Sequence, residues 1–123
     1  MYAEGIVAIK SGNYQKAIEI LSDIEGYKDS SYHIQYAENL IDMERAKVLV
    51  TEGLYEQATD ILLQLKNVQN EEIRQSAQLY LHRIKDIQDQ ENMYVEANAY
   101  QEEGDYIKAI SLYRELVVHK LRK

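Results

Sequence analysis

Three short segments of this chain read alike, and their likeness limits the fold more than any other feature. They are Lys10-Ser-Gly-Asn-Tyr-Gln-Lys-Ala17, Thr51-Glu-Gly-Leu-Tyr-Glu-Gln-Ala58 and Glu102-Glu-Gly-Asp-Tyr-Ile-Lys-Ala109, each containing Gly-x-Tyr-x-x-Ala. Twelve residues before each repeat alanine stands another small residue: Gly5 before Ala17, Ala46 before Ala58 and Ala97 before Ala109. Two antiparallel helices joined by a short turn approach closely only where the facing side chains are small, and this spacing puts one small residue on each helix of a pair. Gly12, Gly53 and Gly104 fall between helical patterns, where a residue without Cβ closes one helix in the left-handed conformation before the next begins. The repeat therefore predicts helical hairpins bent at these glycines.

Spacing predicts helices near 2–11, 14–24, 30–52, 55–66, 71–103 and 106–121. The first helices of the second and third hairpins are extended, because the glycines lie 41 and 51 residues apart. At 1.5 Å per residue the fifth helix would span roughly 50 Å, and a kink in the polar stretch from Asp86 to Asn92 is the alternative to one straight helix. Asn13 and Asp105 are placed to cap the helices that follow them, whereas Leu54 has no oxygen to offer. The second helices carry apolar stripes at helical period, namely Tyr14, Ile18, Leu21 and Ile24; Tyr55, Leu62 and Leu65; and Tyr106, Ile110, Tyr113 and Leu116. These are expected core, with the tyrosines read as packing residues rather than a ligand cage.

Composition supports an all-helical reading and excludes several functions. No proline occurs among the 123 residues, which favours long uninterrupted helices. The absence of cysteine removes disulfides, thiolate metal sites and a cysteine nucleophile. Residues 1–70 and 71–105 carry net charges of −5 and −6, and residues 106–123 carry +4. An acidic body repels a phosphate backbone, so nucleic acid is not an expected partner; the cations Arg114, Lys120, Arg122 and Lys123 suit the end of a helix dipole. No apolar run approaches the roughly 18 residues of a membrane span, and Met1 to Lys10 lacks a signal-peptide pattern. A cytoplasmic location is expected, with room for a soluble domain of a membrane-anchored protein.

Catalytic and metal patterns are not found. His33, His82 and His119 are scattered, and the one-turn pair His82 and Asp86 is too few ligands for a metal. The acidic run from Asp86 to Glu91, with Glu71, Glu72, Glu96, Glu102 and Glu103, lies at surface-like helical positions, where nothing pushes two carboxyl pKa values apart for acid and base work. With no glycine-rich phosphate loop and no Gly-x-Ser-x-Gly elbow, the chain is expected to be neither an enzyme nor a cofactor protein.

Gly-x-Tyr-x-x-Ala with a small residue twelve positions upstream resembles the tetratricopeptide repeat. The resemblance covers nearly the whole chain, with repeats at about 1–28, 29–69 and 70–123 in a single domain 1–123. It is closest to a bacterial variety with a Tyr-Lys-Asp-Ser turn, here Tyr27-Lys28-Asp29-Ser30; the second repeat keeps only Asn70 in place of Asp29. The glycine spacing exceeds the usual period of about 34. The resemblance implies three helical hairpins in a short right-handed α-α superhelix. It also implies a concave groove for a peptide or helix, lined in the first two repeats by Tyr2, Ile6, Ile9, Met43, Lys47 and Val50, and in the third by Tyr94, Asn98 and Gln101. The family's chaperone clamp places a lysine and an asparagine where Tyr2 and Ile6 stand here, so that specialised function is not implied.

The expected function is a protein-interaction scaffold whose partner is another protein or peptide. An alternative is a self-assembling module: Leu116, Val117, Val118 and Leu121 spread around much of the last helix, and a homodimer through it would cover them. A third possibility is the sensor fragment of a larger regulator.

Overall fold

The bend glycines organise the chain. In the computed structural model, which describes residues 1–121 and side chains as far as Val118, Gly12, Gly53 and Gly104 adopt φ of +82°, +79° and +84°. Each bend is closed by the same two main-chain hydrogen bonds. Gly12 N–H donates to Ile9 O at 3.0 Å and Asn13 N–H to Ala8 O at 2.8 Å. The pair recurs as Gly53 to Val50 and Leu54 to Leu49, and again as Gly104 to Gln101 and Asp105 to Tyr100. Carbonyls that a helix end leaves open are thereby satisfied without any side chain.

All six helices form, within two residues of the expected bounds: α1 Tyr2–Lys10, α2 Tyr14–Ser22, α3 Ser30–Thr51, α4 Tyr55–Leu65, α5 Glu71–Glu102 and α6 Tyr106–Leu121. The described residues include no strand, and the protein is all-α. The fifth element is one helix of 32 residues. Asn13 departs from expectation, since it occupies the α2 N-cap position without a side-chain capping bond. Asp105 does cap, its Oδ1 accepting from Lys108 N–H at 3.4 Å, and Asn70 Oδ1 accepts from Ile73 N–H at 3.0 Å at the start of α5.

By its internal contacts the chain divides into Met1–Leu81 and His82–Lys123. In the first unit α1 packs on α2, α2 on α3 and α3 on α4. Ala8, Ile9, Ala17, Leu21 and Ala37 form one buried cluster, flanked by Tyr2, Tyr14, Ile18, Ile24, Ile34, Tyr36 and Leu40. Met43, Ala46, Ala58, Leu62, Leu65, Ile73 and Ala77 are buried further along. The small-residue pairs lie in the core, but at Gly5 the close neighbour is a leucine: a Cβ built there would sit 2.6 Å from Leu21 Cγ. In the second unit Ile84, Ala97 and Ala109 are buried.

The third apolar stripe corrects the expectation of core. Tyr106 is 62% exposed and Ile110 50%, because Ala109 and Tyr113 rather than these residues turn toward α5. No helix among the described residues is long and apolar enough to cross a membrane.

The Tyr27-Lys28-Asp29-Ser30 turn is built by hydrogen bonds from the serines. Ser30, fully buried, donates its Oγ to Tyr27 O at 2.6 Å, and Ser31 Oγ donates to Glu25 O at 3.1 Å. Between them Lys28 takes a φ of +49°, unusual for a residue with a Cβ. Its Nζ lies 5.1 Å from the centroid of Tyr2 and 5.3 Å from that of Tyr27, within cation–π range.

Candidate functional site

The nine residues expected to line a groove have separate fates. Ile9 and Met43 are 9% and 4% exposed, so both side chains are largely taken up in packing, while Ile9 also lines a pocket with Ile6, Tyr14 and Tyr36. Periodicity assigns them to a helix face but does not say which faces a neighbour covers. Tyr2 is committed to the turn after α2: its hydroxyl donates to Asp29 Oδ1, and its ring meets Tyr27 and His33 edge-on at 5.8 and 5.9 Å. His33 Nε2 approaches Asp29 Oδ2 at 3.2 Å from the other side. Donation by the Tyr2 hydroxyl holds the Asp29 carboxyl below its ordinary range, and the same bond raises the Tyr2 phenol. Ile6, Lys47 and Val50 are half-buried, with Lys47 Nζ 3.7 Å from Glu44 Oε1.

In the second unit Tyr94, Asn98 and Gln101 converge on one residue of α6. The Tyr113 hydroxyl donates to Asn98 Oδ1 and lies 3.3 Å from Gln101 Oε1, and its ring packs edge-on against Tyr94 at 5.9 Å. Tyr113 takes the repeat position held by Leu21 and Leu62, four residues after the repeat alanine. Those leucines are fully buried. A hydroxyl where the other repeats have a buried leucine was the sequence signal for this site, and apolar periodicity alone passes over it.

Beside Tyr113 runs a cleft of about 630 Å³ between α5 and α6. Tyr94, Val95, Tyr113, Leu116 and Val117 give it an apolar lining, with Gln90 and Glu91 at one end. Tyr94, Val95 and Val117 are 55%, 66% and 57% exposed, so the cleft opens on an apolar surface. Its volume lies within the range of small-ligand and peptide sites.

A second pocket, of about 570 Å³, opens between α3 and the segment 67–70 that joins α4 to α5. Its wall includes Tyr32 and Tyr36, stacked at 6.3 Å with ring planes 5° apart. Amide side chains supply much of the rest. Burial raises the Tyr36 phenol, and the negative charge of Glu72 raises it further. This pocket was not anticipated, because it depends on a loop folding over a helix and no short motif records that.

Among the described residues no three His, Cys, Asp or Glu side chains converge in a way that would hold a metal ion. These features define a class, an all-α protein of helical hairpins with an open apolar cleft and an amide-lined pocket. Comparison with protein-family models, curated proteins and solved structures gives no match.

Proposed function

We propose that this protein is a non-enzymatic interaction scaffold that holds a peptide or helix, in the manner the tetratricopeptide resemblance implies. The observation that carries this reading is the α5/α6 cleft, where Tyr94, Val95 and Val117 expose apolar surface around the hydrogen-bonded Tyr113. Aromatic and branched residues in a groove with a few fixed polar groups suit a partner laid down through apolar anchors. A polar metabolite would find little to bind there.

Selection of a displayed random-peptide library on the folded protein tests the proposal. Enriched sequences should share apolar anchors, and their binding should be lost in Tyr94→Ala and Val117→Glu. A library that yields no enriched sequence, or binders indifferent to both substitutions, would overturn it.

A second reading is favoured by Val117 and Val118, which are 57% and 46% exposed on neighbouring faces of α6. One partner helix covers a single stripe, so a symmetric pairing of two copies through α6 would bury the remainder. Leu121, which the sequence also assigns to this contact, lies outside the described side chains, as do the cations Lys120, Arg122 and Lys123.

A further inference from the structure

The pocket between α3 and segment 67–70 differs from the α5/α6 cleft in its chemistry. No Asp, Glu, Lys, Arg or His lines it. Gln35, Asn39, Asn67, Gln69 and Asn70 contribute carboxamides, and Tyr32 and Tyr36 a flat aromatic wall with ring planes 5° apart. Its volume of about 570 Å³ is that of a small-ligand site.

The carboxamides are only partly matched within the protein, and the capacity they have left is mixed in kind. Gln35 Nε2 donates to Asn39 Oδ1 at 3.2 Å, so the Gln35 oxygen remains an acceptor. Asn70 Oδ1 accepts from Ile73 N–H at 3.0 Å, which leaves the Asn70 NH2 as a donor. Asn67 Nδ2 donates to Leu63 O at 3.5 Å, which leaves the Asn67 oxygen as an acceptor. Gln69, exposed on the segment, brings one group of each kind. A ligand that matches this lining carries donors and acceptors side by side.

Charge and main-chain bonding narrow the class further. An anion would meet no cation in the lining, Glu72 adds negative potential beside Tyr36, and the chain carries a net charge of −7. Nucleotides and nucleic acids could stack on the tyrosines, but their phosphates are disfavoured on that ground. An extended peptide is held by a row of main-chain partners, yet the Val68 and Gln69 carbonyls in the middle of the segment both accept from Arg74 Nη1, each at 3.1 Å. A helical peptide keeps its main-chain groups to itself and needs apolar anchors, which the α5/α6 cleft supplies and carboxamides do not.

A saccharide meets each condition. It is uncharged, and every hydroxyl is donor and acceptor at once, so two neighbouring hydroxyls of a ring can bridge the oxygen and the NH2 of one carboxamide. Its ring also presents a face of C–H bonds, whose slight positive charge is attracted by the negative face of a tyrosine. We infer that this pocket is a binding site for a neutral saccharide, stacked on Tyr32 and Tyr36 and hydrogen-bonded by the carboxamides of α3 and segment 67–70. The site belongs to the unit Met1–Leu81, whereas the cleft that carries the scaffold reading belongs to His82–Lys123, so each is tested without the other.

A ¹H–¹⁵N titration of the full chain tests the site, with maltose, cellobiose, lactose, methyl α-mannoside and N,N′-diacetylchitobiose as saccharide probes and adenosine and N-acetyl-tetraalanine amide as the competing classes. At least one saccharide should give saturable shifts of the Gln35, Gln69 and Asn70 NH2 signals, and saturation of the tyrosine ring protons should transfer to its C–H protons. Tyr32→Ala, at a ring 41% exposed, should weaken that binding about tenfold, while Tyr32→Phe keeps it. Gln69→Ala, on the exposed segment, should weaken it as well and decides the matter should Tyr32→Ala not fold. The inference is overturned if no saccharide shifts these signals, or if adenosine or the peptide amide shifts them at lower concentration than any saccharide. Saccharide binding to Tyr32→Ala and Gln69→Ala as tight as to wild type overturns it too. Each of these outcomes leaves the peptide selection at the α5/α6 cleft to be judged on its own result.

Discussion

Gly5 shows how one missing atom sets a helix contact. Its Cβ position lies 2.6 Å from both Cγ and Cδ2 of Leu21, a fully buried side chain, so alanine there cannot be accommodated by moving a free chain end. Gly5→Ala is expected to destabilise the protein by about 1–2 kcal/mol, an overpacking cost of about 1–3 kcal/mol reduced by the better helix propensity of alanine. Gly26→Ala is the control, since a Cβ there meets nothing within 4 Å. Equal thermal shifts for the two variants would mean that the Leu21 contact does not limit the spacing of α1 and α2.

The Tyr2 to Asp29 bond gives a second residue-scale prediction, with its sign fixed by linkage. Asp29 titrates below its unfolded range, so its contribution is present above the unfolded carboxylate pKa and is lost as pH falls through the folded one. Tyr2 titrates above its unfolded range, so its contribution is present below the unfolded phenol pKa and is lost as pH rises through the folded one. Tyr2→Phe should therefore melt below wild type at neutral pH, with the gap closing toward both extremes. A gap unchanged from neutral into strong acid would show that the hydroxyl does not act through the Asp29 carboxylate.

At the scale of elements, the sequence was most readable where a rule is local. The bends at Gly12, Gly53 and Gly104 need a left-handed residue, only glycine takes that conformation without cost, and the helix bounds followed within two residues. Capping was less readable. Asn13 has the right chemistry but makes no side-chain bond, while Leu54 starts α4 equally well without one, since main-chain bonds already complete each bend. The hairpin packing itself is testable at Ala58, which is fully buried between α3 and α4. Ala58→Leu should cost about 1–3 kcal/mol by thermal melt, whereas Glu56→Leu, on the exposed face, should stay within about 0.5 kcal/mol of wild type. Matching losses would rule out close apposition at that pair.

At the scale of the whole molecule, what remained unreadable was which apolar faces meet a neighbour. Ile9 and Met43 carry the same helical signal as Ile110 and Val117, yet the first two are buried and the latter two are 50% and 57% exposed. Periodicity identifies a face, but only tertiary arrangement determines whether it is covered. The amide-lined pocket was equally hidden, because Asn39 and Asn70 are far apart in sequence and meet only through the folding of segment 67–70. The exposed face of α6 leads to a prediction about assembly. If two copies pair through it, light scattering should show a mass rising with concentration, and Val117→Glu with Val118→Glu should return it to the monomer value. A wild type monomeric at high micromolar concentration removes self-pairing and leaves the face to another partner.

The bends have one more consequence. Because the closing bonds run from backbone to backbone, with glycine the only side-chain requirement, the residues around each bend are free to vary, and they do: Ser11 and Asn13, Glu52 and Leu54, Glu103 and Asp105 flank the three glycines. Each bend then behaves as an interchangeable joint. A graft replacing residues 49–54 with the sequence of 100–105 should leave the hairpin geometry unchanged, so hairpins of this kind can be recombined as cassettes while selection on surface chemistry proceeds separately.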